Sequence, residues 1–160
     1  MSPTTFYEQI RSNFKQPKLL VIEDGPGHGT LIAKAMQQWL PEVTLIYTNQ
    51  PEQAIHLLQE WNTQEWELPK LILQDLFLPT REDGWNALRQ IKALPAACNR
   101  IPVVVLSPSS QRSDVEEAYQ QGIASYVIKP ADLKGWLRYF MALRTYWWET
   151  ATLPPVQFSV

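Results

Sequence analysis

The chain has 160 residues, the size of one ordinary domain. Its 14 Lys and Arg residues against 16 Asp and Glu residues give a formal net charge of −2, which argues against a basic nucleic-acid-binding surface. The single cysteine, Cys98, excludes an internal disulfide framework and a thiolate-based zinc site. No apolar run reaches the roughly 18 residues of a membrane helix, and the N-terminus lacks the apolar core of a signal peptide. The composition predicts a cytoplasmic domain with neither a membrane nor a nucleic acid as partner.

Five short apolar runs, each followed by a helical pattern, predict five strands. The runs are Lys18 to Ile22, Val43 to Tyr47, Leu71 to Leu73, Pro102 to Leu106 and Ser125 to Ile128. The first, third and fourth runs are apolar almost without alternation, which is typical of strands buried on both faces. Strands that alternate with helices indicate right-handed crossovers and one parallel sheet, so the predicted fold class is α/β and doubly wound.

The helices between these runs are marked by apolar stripes and by start and stop residues. They are predicted over about 31–39, 51–58, 85–94, 114–121 and 132–148. Pro51 suits a first turn, Gly122 suits a left-handed terminator and Asp132 suits an N-cap. Residues 17–148 therefore form the predicted domain, with an N-terminal extension over 1–16 and a C-terminal tail over 149–160.

Polar residues follow the strands at the ends where parallel sheets bind ligands. Glu23 and Asp24 follow the first strand, and the third strand runs into Asp75. Ser107 ends the fourth strand, and Lys129 follows the fifth. In the common strand order 2-1-3-4-5 the first and third strands are neighbours, so the three carboxylates are expected to converge.

A cluster of carboxylates at one place restricts the chemistry of the site. Each close pair repels by about 4 kcal/mol at an effective dielectric constant of about 20, so the cluster takes up protons or binds a cation. Oxygen ligands with an open side suit Mg²⁺. The metal and Lys129 would neutralise a phosphoryl group to which Ser107 donates a hydrogen bond. Asp75, in the middle, is placed to be the nucleophile.

The segments LLVIEDG, LILQDLFLPTREDGW, VVVLS and YVIKP resemble the receiver domain of two-component response regulators over about 17–148. The resemblance implies a flavodoxin-like (βα)5 three-layer sandwich around a parallel sheet of order 2-1-3-4-5. It implies that Asp75 accepts a phosphoryl group. It also implies that Glu23, Asp24, Asp75 and the backbone carbonyl of Phe77 bind Mg²⁺ or Mn²⁺.

The same resemblance assigns roles at the fourth and fifth strands. Ser107 and Lys129 match the hydroxyl and the lysine that contact the phosphoryl group. Ser107 and Tyr126 match the paired switch residues, although Tyr126 also suits an ordinary half-buried strand position. Receivers usually have a cis peptide bond before the proline that follows the lysine, so Pro130 is the expected cis-proline.

Finer features are similar to the small single-domain regulators that partner cyanobacterial phytochrome kinases. They are the pattern Glu23, Asp24, Pro26 and Leu31 and the closing stretch YWWETATLPP. This similarity implies a phytochrome-like histidine kinase as the partner. Because the receiver match accounts for most of the 160 residues, no output domain is expected. The expected function is a phosphorelay switch, not a metabolic enzyme, that signals through the surface of the fourth helix, fifth strand and fifth helix.

Departures from the family pattern leave an alternative open. The stretch 80–82 before Asp83 is one residue longer than usual, and Pro108 follows Ser107 in place of a small residue. A degenerate receiver that acts as a phosphorylation-independent binding module fits these departures. A phosphatase of the haloacid-dehalogenase type is disfavoured, because its second Asp would stand where this chain has Phe77.

The glycine-rich stretch 24–30 lacks the spacing of a phosphate-binding loop. Its glycines are expected to let the loop fold close to the metal. His28 and His56 show no ligand-like spacing with each other or with Cys98, so both are expected at the surface. Of the two, His28 could lie within reach of the acid cluster.

The last helix carries more apolar surface than one packing contact needs. A stripe that includes Trp136 and Met141 is predicted to face the sheet. A wider arc is predicted to bind a partner, as a homodimer through this helix, because Trp and Tyr are favoured interface anchors. The predicted interface residues are Trp136, Tyr139, Leu143, Tyr146 and Trp147. The alternative is that the tail from Thr152 packs back over the helix.

Overall fold

The computed structural model describes residue 8 and residues 10–154. Its strands are β1 (Lys18–Ile22), β2 (Thr44–Thr48), β3 (Leu71–Asp75), β4 (Val103–Ser107) and β5 (Ser125–Ile128). Its main helices are α1 (His28–Trp39), α2 (Pro51–Trp61), α3 (Arg81–Lys92), α4 (Arg112–Gln120) and α5 (Leu133–Leu143). The described residues also include a helical stretch over 10–13, a 3-10 turn (Glu65–Glu67), a single helical turn (Ala96–Asn99) and a π-helical segment (Arg144–Trp148). None of the helices in these ranges is long and apolar enough to cross a membrane.

The five strands form one parallel sheet in the order β2-β1-β3-β4-β5, as the sequence predicts. Alternate residues of β1 point to opposite faces: Leu20 and Ile22 join a core cluster with α2, α3 and α4, whereas Leu19 and Val21 join a second cluster with α1 and α5. The fold is therefore the expected three-layer flavodoxin-like sandwich. Since β1 and β3 are adjacent, the residues after their carboxyl ends meet at one edge.

The helix starts follow from local capping. Thr80 and Asp83 form a capping box, in which each side chain accepts a hydrogen bond from the backbone N–H of the other residue. This box starts α3 at Arg81, earlier than its apolar pattern predicts. Asp132 caps α5 as predicted, since its Oδ1 accepts from the Gly135 amide at 2.8 Å. Gly122 has the expected positive φ of 92° after α4.

The two ends of the described chain pack together. The side-chain amide of Asn13 donates to the carbonyls of Trp148 (3.0 Å) and Ala151 (2.7 Å), and its oxygen accepts from the Leu153 amide at 3.2 Å. Asn13, Trp148 and Leu153 are all buried. Parts of both predicted extensions therefore belong to the packed domain. Residues 155–160 of the tail lie outside the described residues.

The interface prediction is wrong for Leu143 and for Trp136, although the structure confirms the separate prediction that Trp136 faces the sheet. Trp136 and Leu143 are 0% and 2% exposed and form, with Phe140, the stripe of α5 that packs into the core. These residues recur at the i, i+4 and i+7 positions of one helical face. Met141, predicted to face the sheet, is 43% exposed because it follows Phe140 by about 100° around the helix.

The other predicted interface residues lie further out. Tyr146 is 55% exposed, and Tyr139 and Trp147 are half-buried. The α-helix itself ends at Leu143, so Tyr146 and Trp147 belong to the π-helical segment and not to a helix continuing to Trp148.

Candidate functional site

The carboxyl ends of β1, β3 and β5 bring two acids and one lysine into contact. Lys129 Nζ lies 2.6 Å from Glu23 Oε1 and 2.9 Å from Asp75 Oδ2. The Glu23 side chain is fully buried, and those of Asp75 and Lys129 are 5% and 13% exposed. The convergence of these residues, predicted from their positions after apolar runs, is therefore present in the structure.

Both carboxylate oxygens of Glu23 accept hydrogen bonds. The Gly25 amide donates to Oε1 at 2.7 Å, beside Lys129, and the Tyr47 hydroxyl donates to Oε2 at 2.7 Å. Burial and the bond to Glu23 raise the pKa of Tyr47, so its hydroxyl keeps the proton that it donates. The Gly25 amide, the Tyr47 hydroxyl and Lys129 Nζ therefore occupy the two oxygens of Glu23. Glu23 in turn positions Lys129.

Asp75 differs from Glu23 in having an oxygen to spare. Its Oδ1 is buried and has no partner at good hydrogen-bonding geometry within the described residues, although the backbone of Asp24 is close enough to lower the pKa of Asp75 as the smallest of its causes. Burial, as the largest cause, raises the pKa of Asp75 to about 7. The pKa of Asp24 is also raised, first by burial and then by the charge of Glu23. Both carboxylates would gain from a cation nearby.

The predicted three-carboxylate metal cluster is not formed as such. Across the described ranges, no group of three or more His, Cys, Asp or Glu side chains is arranged to hold a metal ion. The reason is that Lys129 stands between Glu23 and Asp75 and pairs with both. Asp24, the free oxygen of Asp75 and the Phe77 carbonyl remain, and a set of two carboxylates with one carbonyl fits a hard cation such as Mg²⁺.

A cavity of about 340 Å³ opens beside Asp75. Its walls include His28, Phe77, Pro108 and Lys129. His28, expected at the surface, is only half-exposed and lies at the cavity.

The hydroxyl of Ser107 is tied to the loop that follows β4. Ser107 is buried, and its Oγ accepts from the Ser109 amide at 3.0 Å. The Tyr126 hydroxyl donates to the Ser109 carbonyl at 2.7 Å, and the ring is half-buried. The two predicted switch residues thus share Ser109 as a partner.

The cis-proline prediction is wrong. The one cis peptide bond within the described ranges is Leu78–Pro79, so Lys129–Pro130 is trans. The Lys129 amide continues the β5 ladder by donating to the Ser107 carbonyl at 2.9 Å, and the side chain reaches both acids from this trans backbone. Most X–Pro bonds are trans. A Lys–Pro sequence by itself does not make the bond cis, because the surrounding fold selects the isomer.

Sequence reasoning missed several contributors to the site. Tyr47 reaches Glu23 from the neighbouring strand β2, and the predicted strand order did not reveal this contact because the register of the two strands was not predicted. Gly25 allows a close approach, since a β carbon there would lie 2.6 Å from Glu23 Oε1. Arg81, within the lengthened stretch 80–82, pairs with Asp114 of α4.

A doubly wound parallel sheet with a buried carboxylate, a lysine and a hydroxyl at adjacent strand ends defines a phosphoryl-accepting class of signalling domain. The family model for the response regulator receiver domain matches residues 19–138. The chain belongs to this family, and it is a receiver-type response regulator of two-component signalling.

Individual relatives agree with this assignment. Response regulator Rcp1 of Synechocystis sp. is 33% identical over 137 residues, which cover 85% of this chain and 92% of Rcp1. The structure of the Mn²⁺-bound form of Rcp1 aligns with a TM-score of 0.72 at 32% identity, over 87% of this chain and 99% of that one. The structure of the phosphorylated cyanobacterial phytochrome response regulator RcpA aligns with a TM-score of 0.75 at 31% identity, over 88% and 99%.

Proposed function

We propose that Asp75 accepts a phosphoryl group from a phosphohistidine of a partner histidine kinase, and that the protein acts as a phosphorylation switch. The observation that carries this proposal is the pairing of Lys129 with Asp75 Oδ2 while the buried Oδ1 stays unpartnered. One oxygen is thus oriented by an ammonium, the other is without a hydrogen-bond partner, and the residue lines the cavity.

The proposed transfer uses residues with distinct tasks. A carboxylate oxygen of Asp75 forms the new bond to phosphorus as the bond to the imidazole nitrogen of the donor breaks, and the released imidazole takes up a proton. Lys129 neutralises charge on the phosphoryl oxygens, and Glu23 holds Lys129 in place. Asp24, Asp75 and the Phe77 carbonyl would hold Mg²⁺ or Mn²⁺, which supplies further charge neutralisation when bound.

The proposed output starts at Ser107. When its hydroxyl turns to a phosphoryl oxygen it leaves the Ser109 amide, and the bond from Tyr126 to the Ser109 carbonyl loses its support. The surface of α4, β5 and α5 then changes. Exposed Tyr146 and half-buried Trp147 are proposed anchors for a homodimer at the end of α5.

A phytochrome-like kinase is the proposed donor. RcpA is described as a cyanobacterial phytochrome response regulator, and it shares 31% of its residues with this chain. A degenerate receiver is not favoured, because the acceptor, the lysine and the hydroxyl are all present at the strand ends.

The test is phosphorylation by acetyl phosphate, followed by intact mass spectrometry. Wild type with Mg²⁺ is expected to gain one phosphoryl group, and Asp75→Asn none. Removal of Mg²⁺ with a chelator is expected to abolish the gain. Glu82→Gln, which removes an exposed carboxylate, is the matched control and should behave as wild type. Labelling of Asp75→Asn, or none in wild type, would refute the proposal.

A further inference from the structure

We infer that His28 is a binding residue for the phosphoryl group, to which it donates a hydrogen bond from Nε2–H, and that Trp136 fixes the imidazole for this task. The inference rests on the proposed function of Asp75. It adds a donor from the start of α1 to those at the ends of β4 and β5.

The tautomer of His28 follows from its partner. The indole Nε1–H of Trp136 donates to His28 Nδ1 at 3.0 Å. An indole nitrogen can only donate, so Nδ1 must present a lone pair. A neutral imidazole then carries its proton on Nε2. The pair is packed edge to face, with ring centroids 5.7 Å apart and planes at 74°.

Trp136 is a rigid support for this arrangement. Its side chain is fully buried, and its ring packs against Tyr139 and Phe140. A buried indole N–H needs an acceptor, because an unmet donor there costs about 1–3 kcal/mol. His28 supplies that acceptor, and its ring orientation is therefore set by the core.

The Cδ2 side of the imidazole, which carries Nε2, lies near Lys129. The position that a β carbon on Gly25 would take is 3.0 Å from both His28 Cδ2 and Lys129 Nζ. His28 Cδ2 and Lys129 Nζ are therefore no farther apart than the sum of these two distances. Cδ2 is bonded to Nε2, and His28 shares the walls of the cavity with Asp75, Phe77 and Lys129.

This arrangement also excludes two other roles for His28. A general base or a metal ligand needs a free nitrogen lone pair, and Trp136 already occupies the one that the neutral ring offers. The group left for the cavity is a donor, and phosphoryl oxygens are acceptors. A hydrogen bond to a charged group contributes about 1.5 kcal/mol or more, which corresponds to roughly tenfold in affinity.

Two amide substitutions separate the nitrogens of His28. In His28→Asn the short amide can still accept from Trp136 but lacks a donor at the Nε2 position. In His28→Gln the longer amide places an N–H near that position. The probe is beryllofluoride with Mg²⁺, a mimic of the bound phosphoryl group, and its dissociation constant is measured by ¹⁹F NMR. His56→Ala, on the exposed side of α2, is the control.

We expect about tenfold weaker binding of beryllofluoride to His28→Ala and His28→Asn, and nearly wild-type binding to His28→Gln and His56→Ala. In wild type, ¹⁵N NMR is expected to show His28 protonated at Nε2 and bare at Nδ1, and Trp136→Phe is expected to lose this single-tautomer signature. Wild-type affinity in His28→Asn, equal losses in the two amide variants, or an Nδ1–H tautomer in wild type would overturn the inference. Failure of wild type to accept a phosphoryl group would instead overturn the proposed function, and with it this inference.

Discussion

The guanidinium of Arg81 lies 2.8 Å from a carboxylate oxygen of Asp114, and the pair joins the lengthened loop after β3 to the first turn of α4. Asp114 Oδ2 also accepts from the Ser109 hydroxyl at 2.6 Å. The Ser109 amide in turn holds the Ser107 hydroxyl. A continuous set of contacts therefore runs from the loop beside Asp75 to the hydroxyl that would have to move.

This set of contacts predicts that Arg81 restrains the switch. In Arg81→Met the side chain keeps its bulk but loses the ion pair, which we take to contribute about 1 kcal/mol to the present loop conformation. The equilibrium then shifts roughly fivefold toward conformations in which Ser107 is released. We expect faster phosphorylation by acetyl phosphate, measured as the initial rate of phosphoprotein formation.

Arg112→Met is the control for this prediction. Arg112 pairs with Glu116 on the same helix, and both side chains are exposed, so the loop after β4 should be unaffected. A wild-type rate in Arg81→Met, or an equal increase in Arg112→Met, would contradict the role given to Arg81.

The lack of space for a β carbon at Gly84 predicts that substitution of this residue strongly destabilises the fold. A β carbon at this position would stand 1.6 Å from the Leu76 carbonyl oxygen, and backbone on both sides must move to relieve the clash. Gln74 also donates to the Gly84 carbonyl at 2.9 Å. We expect Gly84→Ala to lower the free energy of unfolding by about 3 kcal/mol or more in urea titrations. Gly135→Ala, with its closest contacts at 3.1 Å, should cost much less.

The pKa of Asp75 predicts a pH dependence of stability. In the folded protein burial raises this pKa from 3.8 to about 7. Asp75 therefore contributes stability that is fully present below pH 3.8 and is lost as the pH rises through about 7. Relative to Asp75→Asn, wild type should lose unfolding free energy over that interval.

Carboxyl ¹³C NMR measures the Asp75 titration directly. We expect a midpoint near 7 without metal, and a lower midpoint with Mg²⁺, because a bound cation favours the charged form. A metal-free midpoint near the unperturbed value of 3.8 would show that burial does not govern this carboxyl.

The hydrogen bonds of the Asn13 side chain predict that the contact between the two ends of the described chain stabilises the domain. The Asn13 amide makes three hydrogen bonds to the segment 148–153, and removing it leaves buried backbone groups unmatched. We expect Asn13→Ala to lower the free energy of unfolding by about 2 kcal/mol. Asn86→Ala, at an exposed position of α3, should be nearly neutral. Equal stability of the two variants would mean that the ends contribute nothing.

The chemistry of the site was accessible from sequence because it follows the strands. Asp75, Ser107 and Lys129 each come at the end of an apolar run, and parallel strands bring such ends to one edge. The strand order 2-1-3-4-5 was implied by the resemblance to receiver domains and is confirmed, whereas the capping role of Asp132 was predictable because local residue type carries it.

Features that depend on neighbours distant in sequence were not predictable. The apolar arc of the last helix did not reveal that Leu143 faces the core, because this depends on where α1 and the tail pack. The position of Lys129 between two acids likewise requires three strands in register. The bond from Trp136 to His28 joins the first and last helices and left no signal in local spacing.

The central claim is that the phosphoryl group resides on Asp75. Borohydride reduces an acyl phosphate on an aspartate to homoserine, so reduction of the phosphorylated protein followed by peptide mapping locates the group. The account predicts homoserine at position 75 alone, in wild type treated with Mg²⁺ and acetyl phosphate. Homoserine at another position, or an unmodified Asp75 peptide from protein that carries the label, would contradict it.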